Sequence, residues 1–219
     1  RSMNSTRRIV QYLFGLFIMT LGIAFSLKSN LGSTPISSIP YSMELIWGIE
    51  VGLATSIFNV LLVLTEPIIL RRKFKKKHLL QIPVSIIFGF FTTITVNLIS
   101  FIPEPSNFLW ALVMMVVSIF LVALGLFFYV PTNLVPLAGE GVVQSIAIVS
   151  KRLFPRIKVF FDSTMVITSF ILSYVFLGVI GGSVGIGTII SAIFVGITLK
   201  YINKAYTYLT GKDVDLKKM

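Results

Sequence analysis

Six apolar stretches, at about residues 10–28, 51–70, 79–102, 108–130, 157–180 and 186–204, are each close to the twenty residues a helix needs to cross roughly 30 Å of hydrocarbon. No alternating strand pattern interrupts them. In lipid, every backbone N–H and C=O must be paired inside the protein, so the stretches are read as helices. Of the 219 residues only 12% are charged and 55% are apolar, whereas soluble domains carry about a quarter charged residues. The bilayer is therefore the expected solvent. Residues 1–219 are expected to form a single transmembrane domain, with 206–219 as a short cytoplasmic tail.

The chain carries 19 Lys and Arg against 8 Asp and Glu, a net charge of +11. In a soluble protein that surplus would suggest a nucleic-acid partner. Here the basic residues sit at the ends of apolar segments instead of forming a stripe interleaved with aromatics, which excludes nucleic acid and suits loops held on the cytoplasmic face. Arg7 and Arg8 precede the first stretch, and Arg71, Arg72, Lys73, Lys75, Lys76 and Lys77 separate the second from the third. Lys151, Arg152, Arg156 and Lys158 separate the fourth from the fifth, and Lys200, Lys204, Lys212, Lys217 and Lys218 close the chain. With these inside, both termini are cytoplasmic and only Lys28 of the basic residues faces outward. The first stretch is read as an uncleaved helix, because Ser26-Leu27-Lys28-Ser29-Asn30 is a poor cleavage site, and Arg1-Ser2 ahead of Met3 is read as a cloning remnant. Trp47 and Trp110 are expected at the outer interface, and Tyr12, Tyr201, Tyr206 and Tyr208 at the inner one. With no cysteine, disulfides and thiolate chemistry are excluded.

Sliding the chain along itself by 103 residues aligns 21–66 with 124–169 without a gap. Leu21, Gly22, Phe25, Asn30, Leu31, Ser42, Phe58, Val63 and Thr65 then fall on Leu124, Gly125, Phe128, Asn133, Leu134, Ser145, Phe161, Val166 and Thr168. Asn59 falls on Asp162. Repeat 1 covers about 7–102 and repeat 2 about 108–205. Three spans per repeat is an odd number, so the second copy enters from the opposite face, and a 3+3 inverted repeat is expected, as in many secondary transporters. Within each repeat a connection, 29–50 and 132–153, begins with Gly, Pro, Ser or Thr and continues into a semi-apolar run too short to span. Such a run suits either a half-helix or re-entrant segment, or an amphipathic helix lying at the interface.

Several stretches are similar to one known family: the LG-x-x-F-x-x-x-x-NL opening at 21–31, Pro131-Thr132-Asn133-Leu134 with Glu140-Gly141, Lys158 followed by Phe161-Asp162, and the GGSVGIGT run at 181–188. Together they resemble the YczE/YyaS/YitT-like family of bacterial integral membrane proteins, over nearly the whole chain. The resemblance implies a bacterial plasma-membrane protein of repeated helices and names no substrate.

Few residues could carry chemistry, because an ionisable group in hydrocarbon costs roughly 3 kcal/mol or more and needs a reason to be there. Lys158 and Asp162 are four residues apart on one helical face, either as a local ion pair or as a cavity-facing acceptor for a proton or substrate amine. Glu140 lies where a half-helix would begin, as an N-terminal cap or as a cavity carboxylate. Asn59, Asn30 and Asn133 complete the substrate-binding or coupling set. Glu66 is expected to snorkel or pair with the basic connection, and Glu44, Glu50 and Glu104 to be solvated in outer connections. One histidine, His78, and no cysteine give a metal site no support. GGSVGIGT resembles a phosphate loop only superficially, since it lacks the G-K-[ST] ending and follows no strand. Its glycines suit a tight outer turn and close helix approach.

No catalytic set can be assembled, so an enzyme is not expected, and no cofactor is implied. The expected function is transport of a small polar or amine-bearing solute, with coupling to protons allowed. The partners are the lipid bilayer and the solute, and a homodimer is allowed. The rivals are a substrate-binding subunit of a multicomponent transporter and a non-transporting membrane scaffold or regulator.

Overall fold

The computed structural model describes residues 4–214 and 216. Arg1, Ser2 and Met3, read as a remnant and a native start, lie outside the described residues, as do Lys217 and Lys218 of the tail. Eight α-helices account for the described chain: α1 (Ser5–Lys28), α2 (Ser38–Trp47), α3 (Val51–Leu70), α4 (Gln81–Leu98), α5 (Phe108–Tyr129), α6 (Ala138–Ser150), α7 (Phe154–Leu177) and α8 (Ile186–Thr210). Six are long and apolar enough to cross a membrane. Their outer faces carry large apolar side chains, with Ile68, Phe90 and Phe160 mostly exposed. In water such faces would be a liability; against lipid they are what a span requires. This is a multi-pass membrane protein of all-α class.

The ends of the helices follow from local chemistry. The Glu50 carboxylate accepts from the Gly52 and Leu53 N–H groups and so caps α3, and Asn107 caps α5 by accepting from Trp110 N–H at 2.9 Å. Left-handed residues stop several helices: Gly48 after α2, Lys151 after α6, Gly178 after α7 and Gly211 after α8.

Backbone landmarks recur at the interval read from the sequence. The first residues of α1 and α5 are Ser5 and Phe108, and those of α3 and α7 are Val51 and Phe154. Pro35–Ser37 is a 3₁₀ turn leading into α2, so the helical run 35–47 matches α6 at 138–150. Asn30 and Asn133 are both left-handed, at φ 57° and 51°, and so are Gly48 and Lys151, at 69° and 54°. Every one of these pairs is 103 residues apart.

The chain forms two compact units, each drawing on both halves. The first contains α1, α5, α8 and the last turn of α4. In it α1 and α5 run antiparallel, as successive contacts show. Arg8 Nη2 donates to the Thr132 carbonyl at 2.7 Å, Gln11 Nε2 to the Phe128 carbonyl at 3.0 Å, and Ser29 Oγ approaches Met115 Sδ at 3.8 Å. Between these, a Cβ on Gly22 would lie 2.9 Å from the Ser118 carbonyl oxygen and 2.8 Å from the Val122 nitrogen. A Cβ on Gly125 would lie 2.7 Å from both the Gly15 carbonyl oxygen and the Met19 nitrogen. Moving Gly22, Ser118 and Val122 by one repeat interval yields Gly125, Gly15 and Met19. The crossing maps onto itself when the halves are exchanged, as an isologous interface does. Tyr12, expected at the inner interface, is buried against the Tyr129 ring, with centroids 5.4 Å apart. At the start of α8, Gly187 N–H donates to the Leu31 carbonyl at 2.8 Å, the close approach that its glycines permit.

The second unit contains α2, α3, α6, α7 and residues 81–93 of α4. Here α2 packs on α3 and α7, and α6 packs on the same two helices, again a pattern that exchange of the halves preserves. Leu62, Val63, Ala138, Val142, Val143, Ile157 and Phe161 form its apolar core. Gly52 of α3 and Gly89 of α4 face each other's helices so closely that neither has space for a side chain. Both short helices are therefore packed within a helical unit, and the Ser42 and Ser183 hydroxyls, 2.6 Å apart, tie α2 to the turn after α7.

Candidate functional site

Among the described residues the most buried acid is Glu66, at 0% exposure on α3. The sequence leads us to expect it to snorkel toward the basic connection or pair with it; the structure corrects this, burying it against Gln81 with no ion pair to that connection among the described residues. Glu66 is followed by Pro67, which supplies no N–H to the preceding turn, and its side chain turns inward. Gln81, the first residue of α4 and 1% exposed, donates from Nε2 to Glu66 Oε2 at 2.9 Å. Glu66 Oε1 and Gln81 Oε1 are both buried without a hydrogen-bond partner. Gly141, in the first turns of α6, lies directly against these two oxygens, and a methyl group there would strike both. Three helices thus converge on one acid and one amide. In the second half the matching position is Ser169, also buried with an unpartnered hydroxyl.

Four of the six residues singled out from the sequence lie in this same unit. Lys158 Nζ is 3.2 Å from both carboxylate oxygens of Asp162, so the expected pair on one helical face is formed. The side chains are 36% and 25% exposed, which makes it a half-solvated pair rather than a bare charge. Asn59 is buried at 4% exposure on the α3 face that also carries Leu62 and Glu66. Glu140 lies in the first turn of α6, next to Gly141, where the helix dipole favours a negative charge.

Asn30 and Asn133 belong to the other unit, at the ends of the first long helix of each half. Both are left-handed, a conformation that asparagine tolerates better than most residues, so their recurrence has a backbone cause. Asn30 Nδ2 also donates to Glu104 Oε2 at 2.7 Å, and Lys28 lies 3.6 Å from Glu104 Oε1. Glu44, expected to be solvated, is half-buried on α2, and burial raises its carboxyl above the ordinary range. Among the described residues no group of three His, Cys, Asp or Glu could hold a metal ion.

The match that decides the family covers residues 6–204, which fit the model of a family of unknown function, DUF6198. The chain belongs to this family. It is also 24% identical over 196 residues, 88% of this chain and 90% of the relative, to the uncharacterized protein YyaS of Bacillus subtilis. That likeness agrees with the YyaS-like resemblance read from the motifs. No solved structure matches the chain.

Sequence reasoning missed the Glu66 site because neither Gln81 nor Gly141 stands out alone. One signal was available: Glu66 is an acid inside an otherwise apolar stretch, five residues before the basic connection begins at Arg71. An acid at that depth is a functional candidate by default.

Proposed function

We propose that the chain is a permease for a small polar or amine-bearing solute, built as a 3+3 inverted repeat with α2 and α6 as re-entrant segments. The observation that carries this reading is the α1–α5 crossing, where equivalent helices run antiparallel and the Gly22 contacts repeat as the Gly125 contacts. Two halves of opposite direction are the construction in which a site can be opened to either side in turn. Buried polar groups support it as well, since Asn59, Glu66 and Gln81 lie in one unit with the Lys158–Asp162 pair and Glu140. Short helices are tolerated at membrane depth where protein covers them, as α3 and α7 cover α2 and α6. Orientation in a bacterial plasma membrane follows the basic loops, with both termini cytoplasmic.

The test has two stages. A metabolite panel is screened for solutes that raise the melting temperature of the purified protein, because a ligand that prefers the folded state stabilises it. Hits are then measured for uptake into liposomes holding the protein. A stabilising amine or polar solute that crosses only with the protein present, and fails with Asp162→Asn, supports the reading. Stabilising ligands that never cross, or a protein that no solute stabilises, would refute it.

A further inference from the structure

The hydrogen bonds at Glu66 do not balance for an ionised acid. Gln81 Nε2 satisfies Oε2, but Glu66 Oε1 and Gln81 Oε1 remain two buried acceptors with no donor between them. Both press toward the α-carbon of Gly141, so they share one small space. An orphaned buried acceptor loses its hydration without replacement, and a buried carboxylate without a cation loses far more.

The charged groups on the surrounding elements offer no cation. On α4 there is none, and α2 carries only Glu44. Glu50 caps the far end of α3, and Glu140 precedes Gly141 on α6. On α7, Lys158 is bound to Asp162, while Arg156 is exposed. In the connection after α3, Arg71, Arg72, Lys73, Lys75, Lys76 and Lys77 are exposed and His78 bonds the Lys75 backbone. No salt bridge reaches Glu66 from any of them.

We infer that Glu66 is a proton-binding site, held as a neutral carboxylic acid that closes a cyclic acid–amide pair with Gln81. The proton comes from water and forms an O–H bond at Glu66 Oε1. That O–H donates to Gln81 Oε1 while Gln81 Nε2 donates to Glu66 Oε2. One added proton thereby satisfies both orphaned oxygens at once, which no rotation of either side chain achieves. Gly141 is required because any larger residue would fill the space of the O–H···O bond. The proton can leave only when water reaches Oε1, and α6 lies over that oxygen, so loading and release are tied to displacement of α6. The site stands independently of whether the chain moves a solute.

Infrared spectroscopy of the full chain in lipid nanodiscs tests this, in sodium- and ammonium-free buffer at neutral pH. The wild type should show the carbonyl band of a protonated carboxyl, shifting down in D₂O. Glu66→Gln should lose the band, while Glu140→Gln and Asp162→Asn keep it. Gln81→Ala removes the acceptor of the O–H and should move the band to higher frequency, which keeps the test decisive if Glu66→Gln does not fold. Absence of the band in the wild type, its survival in Glu66→Gln, or an unmoved band in Gln81→Ala would overturn the inference. A band that disappears when sodium or ammonium is restored would assign the two oxygens to a monovalent cation instead, and would overturn it as well.

Discussion

Adding one methyl group at Gly125 should separate α1 from α5. Its Cβ would sit 2.7 Å from the Gly15 carbonyl oxygen and 2.7 Å from the Met19 nitrogen, where ordinary contact begins at 3.4 Å. Both obstacles are helical backbone and cannot rotate away, so the axes must part by several tenths of an ångström. Overpacking of this kind costs about 1–3 kcal/mol, and the better helix propensity of alanine returns at most about 1 kcal/mol. With the full propensity gain, the net loss for Gly125→Ala is up to about 2 kcal/mol. Gly22→Ala meets the equivalent atoms at 2.9 and 2.8 Å and should cost nearly the same. The double variant should cost less than the sum, since either methyl already separates the two helices. Gly196→Ala on α8 is the control: it is exposed with nothing within 4 Å, and should be neutral or stabilising by up to about 1 kcal/mol. Unfolding of the purified protein in mixed micelles, followed by circular dichroism, reads all four. If Gly125→Ala proves as stable as Gly196→Ala, or Gly22→Ala and Gly125→Ala differ by more than about 1 kcal/mol, the close and self-matching crossing is refuted.

Neutralising Asp162 alone should lower stability by no more than about 1 kcal/mol, because the Lys158 pair is half-solvated, and Lys158→Met with Asp162→Asn should recover most of it. Loss of uptake in a stably folded Asp162→Asn protein would support the proposed coupling role, and unchanged uptake would leave Asp162 as half of a structural ion pair. Lys151→Gly should stabilise the protein by about 1 kcal/mol in the same unfolding assay, since an exposed lysine at φ 54° bears a left-handed strain that glycine does not. Topology can be mapped with single cysteines, which a cysteine-free chain accepts cleanly. Residues in 71–78 and 150–156 should be labelled only from the cytoplasmic side and those in 103–107 from outside, and external labelling of 71–78 would sink the assigned orientation.

The sequence by itself determined the class and the spans. Length and hydropathy suffice for spans, because lipid forces each apolar segment to satisfy its own backbone. The stretches at 51–70 and 108–130 correspond to α3 and α5 within a residue, while the third stretch ends earlier, at Leu98, and the fifth begins three residues sooner, at Phe154. The Lys158–Asp162 pair was legible because four residues on one helix fix a distance without any tertiary knowledge. Asn30 and Asn133 were visible as a recurrence, but only the backbone showed that left-handed turns, φ 57° and 51°, account for it. Glu66 was decided wholly by tertiary structure. Nearness in sequence tied it to the basic connection, whereas its actual neighbours, Gln81 and Gly141, lie 15 and 75 residues away and reach it only when α4 and α6 pack on α3. Burial is a property of that convergence, and an acid's chemistry changes with it: the same carboxylate that would be an ordinary surface charge beside Arg71 becomes, beneath Gly141, a group that needs a proton.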